Sequence, residues 1–253
     1  MTVQDLITAL DLPGSCRVDQ RVPKKLLIEN GAPTASDKRQ INDGIEEIQW
    51  LAALKPNTIG VPEYRDDVRD YLEIAVLSVT LRGNAKAGRL AELVHRAVPY
   101  PMVLLLNSEQ ILMLSLAHKR WAQNEAGKVV LDGGMVEVAF PGAASSSAIE
   151  IAFMQALALA RQPQATLYAL YQGWMDSLEA LLAGRLTGSF KDANSPEQAA
   201  ARRRGLQNCQ RLELEAVSLR AKAAKEKQLV RQVELNLALK RVQTQLAEAR
   251  EQL

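Results

Sequence analysis

The sequence predicts an α/β (α+β) fold: a mixed, mostly antiparallel sheet flanked by helices, with a long C-terminal helical, coiled-coil arm. Three observations predict it. Residues 74–77 and 102–106 are apolar on both faces of an extended chain, the pattern of strands covered on both sides. Segments before residue 56 and after residue 145 instead space their apolar residues by threes and fours, the helical period. Residues 196–253 carry no glycine after Gly205 and no proline after Pro196, and are rich in Ala, Glu, Lys, Gln, Arg and Leu. Those residue types lose little side-chain freedom in a helix.

Taken in order, residues 2–10 place Val3, Leu6, Ile7 and Leu10 at helical spacing, and Pro13-Gly14 ends the run. Residues 22–31 give a second short helix, with Pro23 near its start and Asn30-Gly31 at its close. Ser36 is the expected N-cap of a longer helix over 37–54, whose Ile41, Ile45, Ile48, Leu51, Ala52 and Leu54 form one stripe. The pattern then changes. Residues 58–61 read as a short strand, and 71–81 as a central strand that Gly83-Asn84 breaks. Residues 85–98 form an amphipathic helix with Leu90, Leu93, Val94 and Val98 inward. Strands follow at 102–106 and 111–121, and segments 129–131 and 135–140 flank Asp132-Gly133-Gly134 as a hairpin. Helices at 145–161 and 166–186 are split at Gln162-Pro163-Gln164. The organisation is a body over 1–188, with a helical part to about 56, a sheet over 57–141 and a helical pair over 145–187. A small polar linker over 189–196 leads to the arm over 197–253.

A straight helix from residue 196 onward would run roughly 87 Å at ~1.5 Å per residue. Such an arm must meet a partner, fold back or stand in water. Leu212, Ala216, Leu219, Ala223, Val230, Val233 and Leu237 step by threes and fours, interrupted at Glu226. Leu235, Leu239, Val242, Leu246, Ala249 and Leu253 form a second run, two residues out of phase with the first. One unbroken two-stranded coil does not accommodate that offset, so either the seam slips near 225–231 or the arm is two helices with a bend. The leucines and valines of both runs, Leu212, Leu219, Val230, Val233, Leu235, Leu239, Val242, Leu246 and Leu253, are the candidate contacts for a protein partner or a second copy.

The net charge of +2 is uneven. Residues 196–253 hold twelve Lys/Arg against seven Asp/Glu, net +5, which leaves −3 for the rest. Aromatics make up 4% of the chain, against a base-stacking surface. Cys16 and Cys209 cannot build a disulfide framework or a metal site. The start, Met1-Thr2-Val3-Gln4-Asp5, lacks the basic and apolar regions of a signal peptide, and no apolar run is long enough to span a bilayer. A cytoplasmic, reducing compartment is expected.

Little in the chain names a reaction. His95 reads as a partly exposed helix-end residue. His118, Lys119 and Arg120 sit beside Trp121 where a sheet edge is expected to meet solvent, suiting phosphate or nucleic-acid contact. Arg17, Arg21, Lys24, Lys25, Lys38 and Arg39 form a second basic cluster, and Arg202, Arg203 and Arg204 a third. If these share a face, they make a phosphate track. A metal-dependent nuclease needs carboxylates on a metal and a lysine near the attacking water. Glu73, Lys119 and Asp132 lie on strands or turns, but the compact acidic-x-lysine spacing is absent. Residues 83–88 lack the Gly-Lys-Ser/Thr ending of a Walker loop. No metal or cofactor is expected.

Several short stretches occur in a fixed order: Val22-Pro23-Lys24-Lys25, Ser36-Asp37-Lys38-Arg39, Ile45-Glu46-Glu47-Ile48-Gln49-Trp50, Val94-His95-Arg96-Ala97-Val98-Pro99-Tyr100-Pro101, Leu116-Ala117-His118-Lys119-Arg120 and Leu170-Tyr171-Gln172-Gly173-Trp174. Over nearly its whole length the chain resembles a bacterial family known only as a domain of unknown function. Genes of that family neighbour Swi/Snf-like helicases and DNA methyltransferases in restriction-like or phage-defence loci. The resemblance implies a setting and no catalytic residues. The expected function is a non-enzymatic accessory subunit that docks a helicase or methyltransferase, with DNA as a further contact. The alternatives are a degenerate nuclease and a stand-alone DNA-binding module.

Overall fold

The computed structural model describes residues 1–83, 85–123, 125, 127–141 and 147–253. It divides into two compact units, Met1–Leu178 and Glu179–Leu253. The division falls inside the last helix of the expected body, ahead of the 189–196 linker.

In the first unit the elements run α1 (Val3–Leu10), β1 (Arg17–Arg21), α2 (Lys24–Gly31), α3 (Ala35–Gly44), β2 (Ile45–Leu54), α4 (Pro56–Ile59), β3 (Tyr64–Arg65), β4 (Asp70–Tyr71) and β5 (Ile74–Leu81). They continue α5 (Ala87–Ala97), β6 (Met102–Asn107), β7 (Ile111–Leu116), β8 (Lys119–Trp121), β9 (Val129–Leu131), β10 (Val136–Pro141), α6 (Ala148–Ala156) and α7 (Leu167–Thr187), the last crossing into the second unit. Six strands form one sheet in the order β1-β2-β5-β6-β7-β10. Every neighbouring pair is antiparallel except β5 and β6, which are parallel and joined through α5. A parallel pair needs such a crossover. α5 lays Leu90, Leu93 and Val94 against Leu77, Val79, Leu104 and Leu106, so the expected central strands lie in the core.

The expected helix over 37–54 is corrected. α3 stops at Gly44 and residues 45–54 are a strand paired to both β1 and β5. Its register with β5 shifts between Ile45/Glu47 and Trp50/Ala52. A bulge inserts a residue and breaks the period of two, so Ile45 and Ile48 stand three apart, both buried, and imitate a helix. The N-cap of α3 is Thr34, not Ser36; its hydroxyl accepts from the Asp37 N–H. Gly31 is also more than a helix end. A Cβ there would lie 2.5 Å from the Ala97 Cβ and 2.6 Å from the Leu93 carbonyl oxygen, so its missing side chain is what lets α2 meet α5.

Three further expectations change. Residues 58–61 are not a strand: Pro56 opens the turn of α4, and Gly60, at φ 72°, ends it. The expected strand 111–121 breaks at Ala117-His118 into β7, in the large sheet, and β8, in a two-stranded sheet with β9. Segments 129–131 and 135–140 do not form a hairpin, because β9 pairs with β8 and β10 with β7. The expected helix over 145–161 begins partly outside the described residues. Within them, Ser147 and Glu150 form a capping box for α6, and a short 3₁₀ turn at Leu159–Arg161 follows.

The second unit holds the rest of α7 and the arm, which is two helices, α8 (Pro196–Lys225) and α9 (Leu229–Glu251). They fold back on one another. Arg250 reaches Glu213 at 2.7 Å, and Cys209, Leu212, Ala216, Val242 and Ala249 form a buried seam.

Candidate functional site

Two places in the molecule carry more chemistry than their fold requires: a buried polar network in the first unit and the outer surface of the hairpin in the second.

The network is centred on His118. The Tyr71 hydroxyl and His118 Nδ1 are 2.5 Å apart, His118 Nε2 and Gln172 Oε1 are 2.9 Å apart, and the Gln172 amide donates to Asp176 Oδ1 at 2.8 Å. Because that amide is committed to the carboxylate, Gln172 presents its oxygen to the ring. Nε2 then carries a proton, while Nδ1 faces the Tyr71 hydroxyl. Burial raises the pKa of Tyr71 and keeps it a donor. Tyr168 lies beside this chain, stacked on Tyr64 at 5.0 Å between ring centres, with the Arg69 guanidinium 5.5 Å above it. Arg69 is also fixed to Asp132, at 2.9 Å through Nε and 2.5 Å through Nη2, and Arg120 lies 3.6 Å from the same carboxylate.

A second polar group lies between α5 and the sheet. His95 is fully buried, not partly exposed, and its Nε2 lies 3.1 Å from the Ser115 hydroxyl. Burial, reinforced by the Lys119 charge, lowers its pKa to about 3. Lys119 does not reach a solvent edge either. It is buried, and its ammonium donates to the carbonyl oxygens of His95 and Val98, capping the C-terminal end of α5. Burial lowers its pKa to about 7. The Glu73 carboxylate is engaged by Lys55 at 2.9 Å.

The remaining basic candidates scatter. Lys24 turns its ammonium to the carbonyl oxygens of Asn42 and Ile45, and burial, with Arg82 and Arg21 nearby, lowers its pKa. Lys25 pairs with Glu29 at 3.5 Å. Lys38 and Arg39 are exposed on α3. In the second unit Arg202 donates to the Lys191 carbonyl at 2.7 Å, Arg203 pairs with Glu179 at 2.8 Å, and Arg204 is exposed. Among the described residues no group of three or more His, Cys, Asp or Glu is placed to hold a metal ion.

The hairpin divides the arm candidates into two sets. Leu212 and Val242 are buried in its seam, and Leu219, Leu239, Leu246 and Leu253 pack against it. Leu235 is half-buried. Val230 and Val233 point outward, together with Leu229 and Leu237, each at least half exposed. α8 adds Leu214 and Val217, 65% and 60% exposed, which the sequence reading missed. Their signal was available: Leu214, Val217 and Ala221 step by three and four on the side of α8 away from Leu212 and Ala216.

No helix among the described residues is long and apolar enough to cross a membrane. No curated protein and no solved structure matches the chain. A family model described as Domain of unknown function (DUF4391) matches residues 10–246, and the chain belongs to that family.

Proposed function

We propose that the protein is a non-enzymatic, cytoplasmic accessory subunit of a bacterial restriction-like or phage-defence system, whose hairpin docks a helicase or a DNA methyltransferase. One observation carries this reading. α9 is apolar on two faces, and α8 covers only the face that holds Val242 and Ala249. Val230, Val233 and Leu237 repeat along another face and remain at least half exposed. A helix apolar on two faces is at home between two partners. The genomic setting implied by the family resemblance supplies the identity of the second. Exposed Lys38, Arg39 and Arg204 are the cations still available to a DNA phosphate backbone.

The test is co-purification of the tagged full chain with products of the neighbouring genes. The triple variant V230D/V233D/L237D leaves the seam residues in place and is expected to lose the helicase or methyltransferase while keeping its helix content. Undiminished capture by that variant sinks the reading. DNA binding, measured separately, is expected to weaken steeply as salt rises.

A further inference from the structure

A cavity of about 390 Å³ opens in the second unit where the end of α7, the start of α8 and the last turn of α9 come together. Three cationic side chains line it, Lys191, Arg202 and Arg250, against one acidic side chain, Glu251. Arg250 is already paired with Glu213 at 2.7 Å. Arg202 is not neutralised. Its Nη2 donates to the Lys191 carbonyl at 2.7 Å, while its Nη1 is buried and has no hydrogen-bond partner. A buried guanidinium N–H without an acceptor is costly, more so when charged. Lys191 is exposed at the mouth, and no ion pair of its ammonium occurs among the described residues. The rest of the wall is small and apolar, formed by Ala180, Ala183, Leu186 and Leu253.

From this geometry we infer that the cavity binds a small phosphorylated molecule, with the phosphate held by Arg202, Lys191 and Arg250 and the organic part against the apolar wall. With Glu251 counted and Arg250 set against Glu213, one positive charge is left over for an oxyanion to balance. Arg202 brings a delocalised charge to the wall, its Nη2 held by the Lys191 carbonyl, and Lys191 adds a point charge at the mouth. The volume falls within the range of ligand pockets, ~300–1,000 Å³, and leaves room beyond the phosphate itself. A filled cavity would join both ends of the hairpin to the chain that leads into it. Gly205 stands at the same place; a Cβ there would come within 2.7 Å of Leu253 Cδ2.

The inference is independent of the docking role and is tested on the full chain by isothermal titration calorimetry, with inorganic pyrophosphate as the probe. Saturable binding is expected, stronger than for acetate. It should weaken by at least about tenfold, or about 1.4 kcal/mol, in Arg202→Gln. Lys191→Gln should weaken it too, and because Lys191 is exposed that variant guards against a misfolded Arg202→Gln. Arg220→Gln, exposed on the same helix, should bind as the parent does. Lack of saturation at millimolar pyrophosphate, or equal binding by the Arg202→Gln and Lys191→Gln variants, overturns the assignment. An oligonucleotide without terminal phosphate that displaces pyrophosphate in an Arg202-dependent manner also overturns it, by giving these cations to a nucleic-acid backbone.

Discussion

The two units solve the burial problem in opposite ways. The first surrounds β5 and β6 with side chains on both faces and takes charged and polar groups into its interior, His95, Ser115 and Lys119 among them. In the second, the two arm helices bury an apolar seam between them and leave leucines and valines on their outer side. The core of the first ties its polar groups to particular partners, His95 Nε2 to Ser115 and the Lys119 ammonium to two carbonyls, although His95 Nδ1 has none among the described residues, and such fixed pairings favour one arrangement. A seam that excludes polar groups holds two helices together and leaves their other faces free. The difference suggests that the body is built to hold a shape and the arm to offer a surface.

The largest expected effect separates the two directly. Leu104, fully buried in β6, should cost toward the upper end of about 2–5 kcal/mol when changed to alanine. Leu212→Ala in the seam, where solvent is one helix away, should cost about 2 kcal/mol or less. Chemical denaturation of both variants checks this, and equal losses would remove the contrast. Next, Gly31→Ala forces a methyl group into the backbone and Cβ of α5, for which about 1–3 kcal/mol is expected. A neutral outcome would mean that α2 can lift from α5.

The third prediction concerns pH. His95 has a folded pKa of about 3, depressed by burial from 6.5, so in that window the unfolded chain binds more protons than the folded one. Stability is therefore expected to fall as pH drops from about 6.5 toward 3. Lys119, depressed to about 7 from 10.5, gives the same sign in its own window, with stability rising from pH 7 to 10.5. Melting across this range, with His95→Gln flattening the acid limb, is the check; an unchanged acid limb would remove His95 from the account. The smallest effect on stability belongs to the arm. Val233→Asp on the outer face should change stability by within about 0.5 kcal/mol, while reducing partner capture.

Much of this contrast was legible in the sequence. β5, β6, α5 and α7 declared themselves by their apolar patterns, whereas the two-residue offset in the arm allowed either a slipped seam or the break that separates α8 from α9. β2 did not, because two register shifts replaced its alternation with a spacing of three. β1, Arg17-Val18-Asp19-Gln20-Arg21, lies at the sheet edge and has almost no apolar pattern to read. The site was harder still. Strand alternation places Lys119 and Arg120 on opposite faces, but it carries no information that the end of α5 would arrive over Lys119 and bury it. Tyr71, His118 and Gln172 are far apart in the chain, so only the folded sheet brings them into one network.

Tyr171 shows what such distant contacts imply. Its buried hydroxyl accepts from the Ala117 N–H at 2.9 Å and donates to the Met102 carbonyl at 2.8 Å, with the Ala117 carbonyl 3.1 Å away. One oxygen atom thus pins the corner where the chain leaves the large sheet for the small one. The Ala117 amide belongs to no ladder, yet it should exchange with deuterium as slowly as a central strand. Removing that single atom, as in Tyr171→Phe, should free the corner to swing while both sheets stay intact.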